Sequence, residues 1–154
     1  MDTTGMDAIK EEVKILFERM GFAGDIEEIA AFQGVTSRVS VRIRGDARML
    51  IGERGANLAA LEHITRKILY KKQGADTRIT LDINDYRMRR MEDLKQEVKA
   101  AAKEVRLYAR PVPLQPMTSF ERRIVHLLLD EYPDITTESS GEEPERRVII
   151  KPFV

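Results

Sequence analysis

Apolar residues recur along this chain at helical and at strand spacing, and the switches between the two predict its elements. Between residues 7 and 20 they fall at Ile9, Val13, Leu16, Phe17 and Met20, the three- and four-residue steps of one helical face, with Gly21 as the stop. Residues 26–32 and 38–44 read as two strands joined by Gly34-Val35-Thr36-Ser37. The second alternates every two residues, with Val39, Val41 and Ile43 toward one side and Arg38, Ser40, Arg42 and Arg44 toward the other. The three arginines fit a solvated outer face or a stripe that tracks a phosphate backbone. After a short segment at 46–50, Leu58, Leu61, Ile64 and Ile68 mark the expected buried stripe of a second helix, ending near Gly74. A third strand comes next over 78–83, with Ile79, Leu81 and Ile83 alternating against Arg78, Thr80 and Asp82.

A longer helix is predicted to about Val105, capped by Asn84 or Asp85, with Met88, Met91, Leu94, Val98, Ala101 and Val105 as its stripe. At 1.5 Å per residue it spans roughly 30 Å, enough for a rigid connector. Pro111, Pro113 and Pro116 exclude helix and force an extended segment over 108–117, either a domain boundary or an edge strand of the C-terminal domain. Thr118-Ser119-Phe120-Glu121 is a capping box that opens a helix to about Glu131, and Pro133 stops it. Phe120, Ile124, Leu127 and Leu128 form its expected buried stripe. Arg122 and His126 then project to the opposite side, beside Ser119 and Arg123, which puts His126 outside the core. Residues 134–139 and 146–153 read as a hairpin around Gly141-Glu142-Glu143-Pro144.

Composition narrows the class. With 154 residues, 42% hydrophobic and 34% charged, the chain can build one medium or two small cores and is expected to be soluble and cytoplasmic. It has no cysteine, which excludes disulfides and thiolate metal sites. No apolar run approaches the roughly 20 residues of a membrane span, and Met1-Asp2-Thr3-Thr4-Gly5 has no secretion signal. Net charge is zero, but its distribution is uneven. Residues 1–36 carry 3 Lys/Arg against 8 Asp/Glu, residues 37–110 carry 18 against 10, and residues 111–154 carry 5 against 8. The positive charge is collected in the middle of the chain, as a phosphate-binding segment requires.

Chemistry concentrates there at Ile51-Gly52-Glu53-Arg54-Gly55, directly ahead of the second helix. Two glycines without Cβ atoms let a backbone lie flat against a sugar-phosphate chain, and a helix N-terminus just behind adds partial positive charge. This is the layout of a KH domain, whose GxxG loop clamps about four single-stranded nucleotides. The order helix, strand, strand, short turn, GxxG, helix, strand is similar to the type II form. Arg87, Arg89 and Arg90 cluster at the start of the long helix, the wrong end for its dipole, so they answer to nearby carboxylates or to phosphate.

In the second half, Arg122-x-x-x-His126 on a short helix resembles the signature of the Arg-x-x-x-His single-stranded nucleic-acid-binding domain. Pro116-Met117, Glu121-Arg122-Arg123-Ile124-Val125-His126, Thr137-x-Ser139-x-Gly141-Glu142 and Arg146-Arg147-Val148-Ile149-Ile150 extend the likeness. A KH domain with this domain behind it, and Asp85-Tyr86-Arg87 at the junction, resembles the bacterial Jag family, also called KhpB, EloR or SpoIIIJ-associated proteins. The likeness covers nearly the whole chain from about residue 6. It implies an α+β fold: a type II KH domain over 6–84, a three-stranded sheet with helices on one face, joined by a connector helix over 85–107 to a small α/β domain over 108–154. The chain is expected to lack the family's usual N-terminal domain and charged linker. Glu53 also stands where the family commonly has a basic residue, and a carboxylate beside a phosphate is repulsive.

The leading reading is a non-enzymatic protein that binds single-stranded RNA, or single-stranded DNA, through two modules. Gly52 and Gly55 would bring backbone to phosphates and Arg54 would supply charge, with Arg87 as a further candidate contact. Asn57, His63 and Lys67 would edge a groove for unstacked bases. Arg122 and Arg123 would meet phosphate, and His126 would stack on a base or donate to phosphate. No cofactor is called for. The resemblance further implies post-transcriptional regulation of cell elongation or division, and pairing with a small one-KH-domain protein. The alternative is a protein-assembly platform on a KH scaffold that has lost RNA affinity, favoured by Glu53, the acidic first helix and the zero net charge. A nuclease built on Arg122 and His126 lacks an evident base, nucleophile or metal set.

Overall fold

The computed structural model describes residues 3–74 and 76–154, so Met1 and Asp2 of the N-terminal stretch lie outside the described residues. The chain divides into two compact units, Met1–Arg87 and Met88–Val154. The first contains helix α1 (Thr3–Phe17) with a π-helical turn behind it (Glu18–Phe22), strands β1 (Ile26–Phe32) and β2 (Ser37–Ile43), a short helix α2 (Arg48–Ile51), helix α3 (Ala56–Gln73) and strand β3 (Ile79–Ile83). The sheet order is β1-β2-β3, with β1 antiparallel and β3 parallel to β2. Val39, Val41 and Ile43 of β2 and Ile79, Leu81 and Ile83 of β3 are buried, as strict alternation requires of a covered face. Ile9, Val13 and Phe17 of α1 and Leu58, Leu61 and Leu69 of α3 cover it. Full burial of a side chain such as Phe17 or Leu69 contributes about 1.5–3 kcal/mol.

Two local expectations shift. The buried stripe of α3 runs through Leu58, Leu61, Thr65 and Leu69, while Ile64 is 44% exposed. Thr65 can occupy the core because its hydroxyl donates to the Leu61 carbonyl at 2.7 Å, satisfying the polar atom inside the helix. At the start of helix α4 (Tyr86–Tyr108), the Asn84 side chain spans to β2, accepting from the Ile43 amide at 2.8 Å and donating to its carbonyl at 3.2 Å. Buried Asp82 accepts the first-turn amide of Arg87 at 3.3 Å.

The second unit holds most of α4, strand β4 (Val112–Pro113), helix α5 (Ser119–Leu129) and strands β5 (Ile135–Ser140) and β6 (Arg147–Pro152), in sheet order β4-β6-β5. Both pairings are antiparallel. The proline-rich segment is therefore an edge strand, where a missing N–H costs no ladder bond. The long helix read as a connector supplies Leu94, Val98, Ala101, Ala102 and Val105 to this unit's core, against Val125, Leu129, Val148 and Ile150. The capping box forms as read: Thr118 accepts from the Glu121 amide at 3.3 Å, and Glu121 accepts from the Thr118 amide at 2.9 Å.

The buried face of α5 differs from the expected stripe. Glu121, Arg122, Val125 and Leu129 face the core, whereas Phe120 is 65% and Leu127 60% exposed. The apolar arc of this helix is wider than one stripe, and the core takes the edge that carries Val125 and Leu129. Glu121 and Arg122 can accompany them inward because each has partners there. Arg90 Nε donates to Glu121 at 2.7 Å, and Arg122 Nη1 donates to the Met117 carbonyl at 2.8 Å.

Candidate nucleic-acid interface

Two sets of residues were expected to meet nucleic acid, one in each unit. In the first, α2 ends as the Gly52 amide donates to the Arg48 carbonyl at 2.8 Å. Gly52 then adopts φ 73°, ψ 176°, a backbone region that is essentially glycine-only. A Cβ there would lie 2.6 Å from Asn57 Cγ and 2.8 Å from its backbone nitrogen. Arg54 and Gly55 also have positive φ, 54° and 76°, and the Gly55 amide closes the turn on the Gly52 carbonyl at 3.2 Å. A Cβ on Gly55 would meet the Tyr86 ring at 3.0 Å. Buried Leu50, Ile51 and Leu58 anchor the two sides, so the loop is a fixed protrusion on the N-terminus of an 18-residue helix.

The charges on this loop are arranged against expectation. The Glu53 side chain is 86% exposed, and the Arg54 side chain, 27% exposed, lies 3.8 Å from it. The outermost charge is thus a carboxylate. Asn57, expected at the edge of a base groove, donates to the Met49 carbonyl at 2.7 Å and so ties α3 back to α2. From Asn57 the outward face of α3 continues through Ala60, Ile64 and Lys67, all exposed, with His63 beside them. That strip is small and apolar next to the loop and cationic at its far end. Lys67 has no acidic partner among the described residues. Ile64 is the residue that periodicity assigned to the core, and only the exchange with Thr65 reveals it at the surface.

Much of the mid-chain positive charge is spent internally. Arg87 donates to Glu62 at 2.8 Å and to the Leu81 carbonyl at 3.1 Å, and Arg66 also pairs with Glu62, at 3.0 Å. Arg87 therefore binds α3 to β3. Arg48 is held by Asp46, and that hydrogen bond keeps the Asp46 carboxyl below the usual carboxylate range. Arg42 lies 3.9 Å from Asp85, and Arg44 3.4 Å from Glu27. Arg38 instead lies over the exposed Phe32 ring, 4.9 Å from its centroid. Arg90 bridges Glu121 and Glu97, so carboxylates answer two of the three arginines around the start of α4.

In the second unit Arg122 and His126 lie on the rim between the core and the polar face of α5. Arg122 is 8% exposed; besides the Met117 carbonyl it reaches Glu143 in the hairpin loop at 2.6 Å. His126 is half-buried, with Nδ1 2.6 Å from the Thr137 hydroxyl and Nε2 3.0 Å from the Ser139 hydroxyl. Both side chains join α5 to the hairpin: Arg122 fixes its loop and His126 fixes β5. Arg123, one residue along, is exposed and unpaired among the described residues. No three His, Cys, Asp or Glu side chains converge on a metal-sized site among the described residues. No described helix is long and apolar enough to cross a membrane.

Residues 91–152 match the family model of the R-three-H domain, the Arg-x-x-x-His domain by another name. The match begins inside α4, in keeping with that helix's place in the second core. The chain is 35% identical over 148 residues to the RNA-binding protein KhpB of Clostridium symbiosum, covering 96% of this chain and 66% of the relative. It is 38% identical over 132 residues to the RNA-binding protein KhpB of Bacillus subtilis (80% and 64%). To that of Lactiplantibacillus plantarum it is 28% identical over 147 residues (96% and 45%). The chain thus spans less than two thirds of the length of each of these relatives.

Proposed function

We infer that this chain, which the R-three-H match and the KhpB relatives support as a member of the Jag/KhpB family, binds single-stranded RNA. The single observation that carries the reading is the Gly52–Gly55 turn. It holds three positive-φ residues in a rigid protrusion, and the exposed strip of Ala60, Ile64 and Lys67 leads away from it. Such a turn brings backbone to phosphates, and the strip gives unstacked bases an apolar surface that ends in a cation. The element order and the β1-β2-β3 sheet with a parallel β2–β3 pair support a type II KH domain for the first unit.

In this reading Lys67 and Arg123 meet phosphate, because they keep unpaired charge at the surface. Gly52, Gly55, Asn57, Arg87, Arg122 and His126 shape the surfaces that RNA meets. Glu53 lowers affinity at the loop. Transcript-level regulation of cell elongation or division, in the cytoplasm and together with a one-KH-domain partner, is the family-level extension. The assembly-platform reading keeps one observation in its favour: the outermost charge of the loop is negative.

The test is binding of labelled single-stranded RNA at two salt concentrations to the parent chain, Glu53→Lys, Lys67→Glu and Arg123→Ala. Phosphate contacts release counterions, so affinity falls steeply with salt. Glu53→Lys tightens binding and the other two weaken it. Gly52→Asp is a poor probe, since strain and the clash with Asn57 would deform the loop whatever it binds.

A further inference from the structure

Helix α5 carries more apolar surface than its own unit buries. Taking 100° per residue from Phe120, its apolar side chains run from Leu127 round through Ile124, Leu128 and Val125 to Leu129, an arc of about 200°. A helix that packs on one core needs an apolar arc of about 100°. Val125 and Leu129 fill the core, Ile124 and Leu128 are half-buried, and Phe120 and Leu127 stand in solvent. Leu128 and Leu129 also form one wall of a groove of about 170 Å³ against α4, whose opposite wall is Val98 and Ala102. Lys95, Lys99 and Arg106 line the same groove. Arg106 is neutralised by Asp134 at 2.7 and 3.1 Å, but Lys95 and Lys99 have no acidic partner among the described residues.

We propose that the α4–α5 face of the second unit docks an acidic amphipathic helix of a partner protein, with aliphatic side chains in the groove and over Leu127, and carboxylates toward Lys95 and Lys99. This goes beyond RNA binding and rests on different residues. An exposed apolar patch rimmed by charge is the usual mark of such a surface, and an apolar helix face read at three- and four-residue steps is what such a groove accepts. The groove walls are aliphatic, and Arg106 already lies over the Tyr132 ring, 4.9 Å from its centroid, so a nucleobase finds little open aromatic face there. The acidic helix of this chain, α1, is not the occupant, because its own apolar residues Ile9, Val13 and Phe17 are buried.

The experiment maps amide shifts of the full-length ¹⁵N-labelled chain with three end-blocked peptides of one length. The first has leucines at helical three- and four-residue spacing among glutamates. The second has the same composition with scattered leucines, and the third has lysine for glutamate. The first peptide alone shifts residues of the Lys95–Arg106 and Phe120–Leu128 stretches. Leu127→Gln, or Lys95→Glu with Lys99→Glu, weakens it about tenfold; these side chains are exposed, and unchanged spectra elsewhere verify the fold. Three results overturn the proposal. Peptide binding could be absent, equal for all three peptides or unmoved by the variants. Single-stranded RNA could shift the same amides and displace the peptide, which assigns the face to nucleic acid. The free chain could dimerise in a manner abolished by Leu127→Gln, which makes a second copy the occupant.

Discussion

Replacing Arg122 by alanine separates a folding role from a binding role. The guanidinium is nearly buried, and its bond to the Met117 carbonyl is a charged hydrogen bond inside the unit. Removing such a bond costs about 1.5–3 kcal/mol and leaves a buried carbonyl short of a donor. The contact to Glu143 adds little, about 0–1 kcal/mol, because that carboxylate is 59% exposed. Loss of the packed aliphatic stem brings the expected total to about 3 kcal/mol. A two-unit chain need not unfold in one step, so amide hydrogen exchange within the second unit is the proper readout. Exchange at Val125, Val148 and Ile150 should quicken about a hundredfold, while the amides of β2 and α3 stay unchanged. Glu143→Gln should change the same amides no more than about fivefold. If Arg122→Ala leaves protection within about threefold of the parent, the arginine is not a structural clamp, and any loss of RNA binding is direct.

Other outcomes rest on the same geometry. His126→Ala removes both ties to β5 and should cost about 1–2 kcal/mol, read as faster exchange at Ser139 and Val148. Gly55→Ala should destabilise the first unit by about 1–2 kcal/mol, from the left-handed backbone together with the approach to Tyr86, measured by exchange at Leu58 and Leu61. Burial raises the Asp82 carboxyl above its ordinary value, with the Arg87 and Ile83 amides pulling the other way. A folded-state pKa above the unfolded one disfavours the charged folded form. Asp82 therefore penalises the fold at neutral pH, and the penalty fades as pH falls through its folded pKa. Asp82→Asn should match or exceed the parent's stability at neutral pH in urea titrations, and that difference should shrink in acid. Asp134 has the opposite sign: the Arg106 hydrogen bond lowers its pKa, so this contribution is present above the ordinary Asp value and lost as pH falls through the folded value.

Elements whose pattern is set by one covered face were legible in the sequence. Strands β2 and β3 alternate strictly because one face meets α1 and α3, and the Thr118 capping box needs only its own four residues. Side chains that reach across elements were not legible. Thr65 enters the core through a bond to its own helix, which moves Ile64 outward, and apolar periodicity carries no trace of that exchange. In α5 the apolar arc was wide enough to hold two stripes, and the choice between them depended on Arg90 and the Met117 carbonyl being there to receive Glu121 and Arg122. The mid-chain excess of cations was countable from the sequence. Its internal use was not, because the partners Glu27, Glu121 and Asp134 lie elsewhere in the chain.

In the proposed function, single-stranded RNA lies along the exposed strip beside the Gly52–Gly55 turn. RNA affinity of the parent, Glu53→Lys and Lys67→Glu, measured against salt concentration, probes that placement without disturbing the fold. Affinity that falls with salt, rises with Glu53→Lys and drops with Lys67→Glu is the expected result. Affinity that ignores both substitutions, or no binding at low salt, would contradict it.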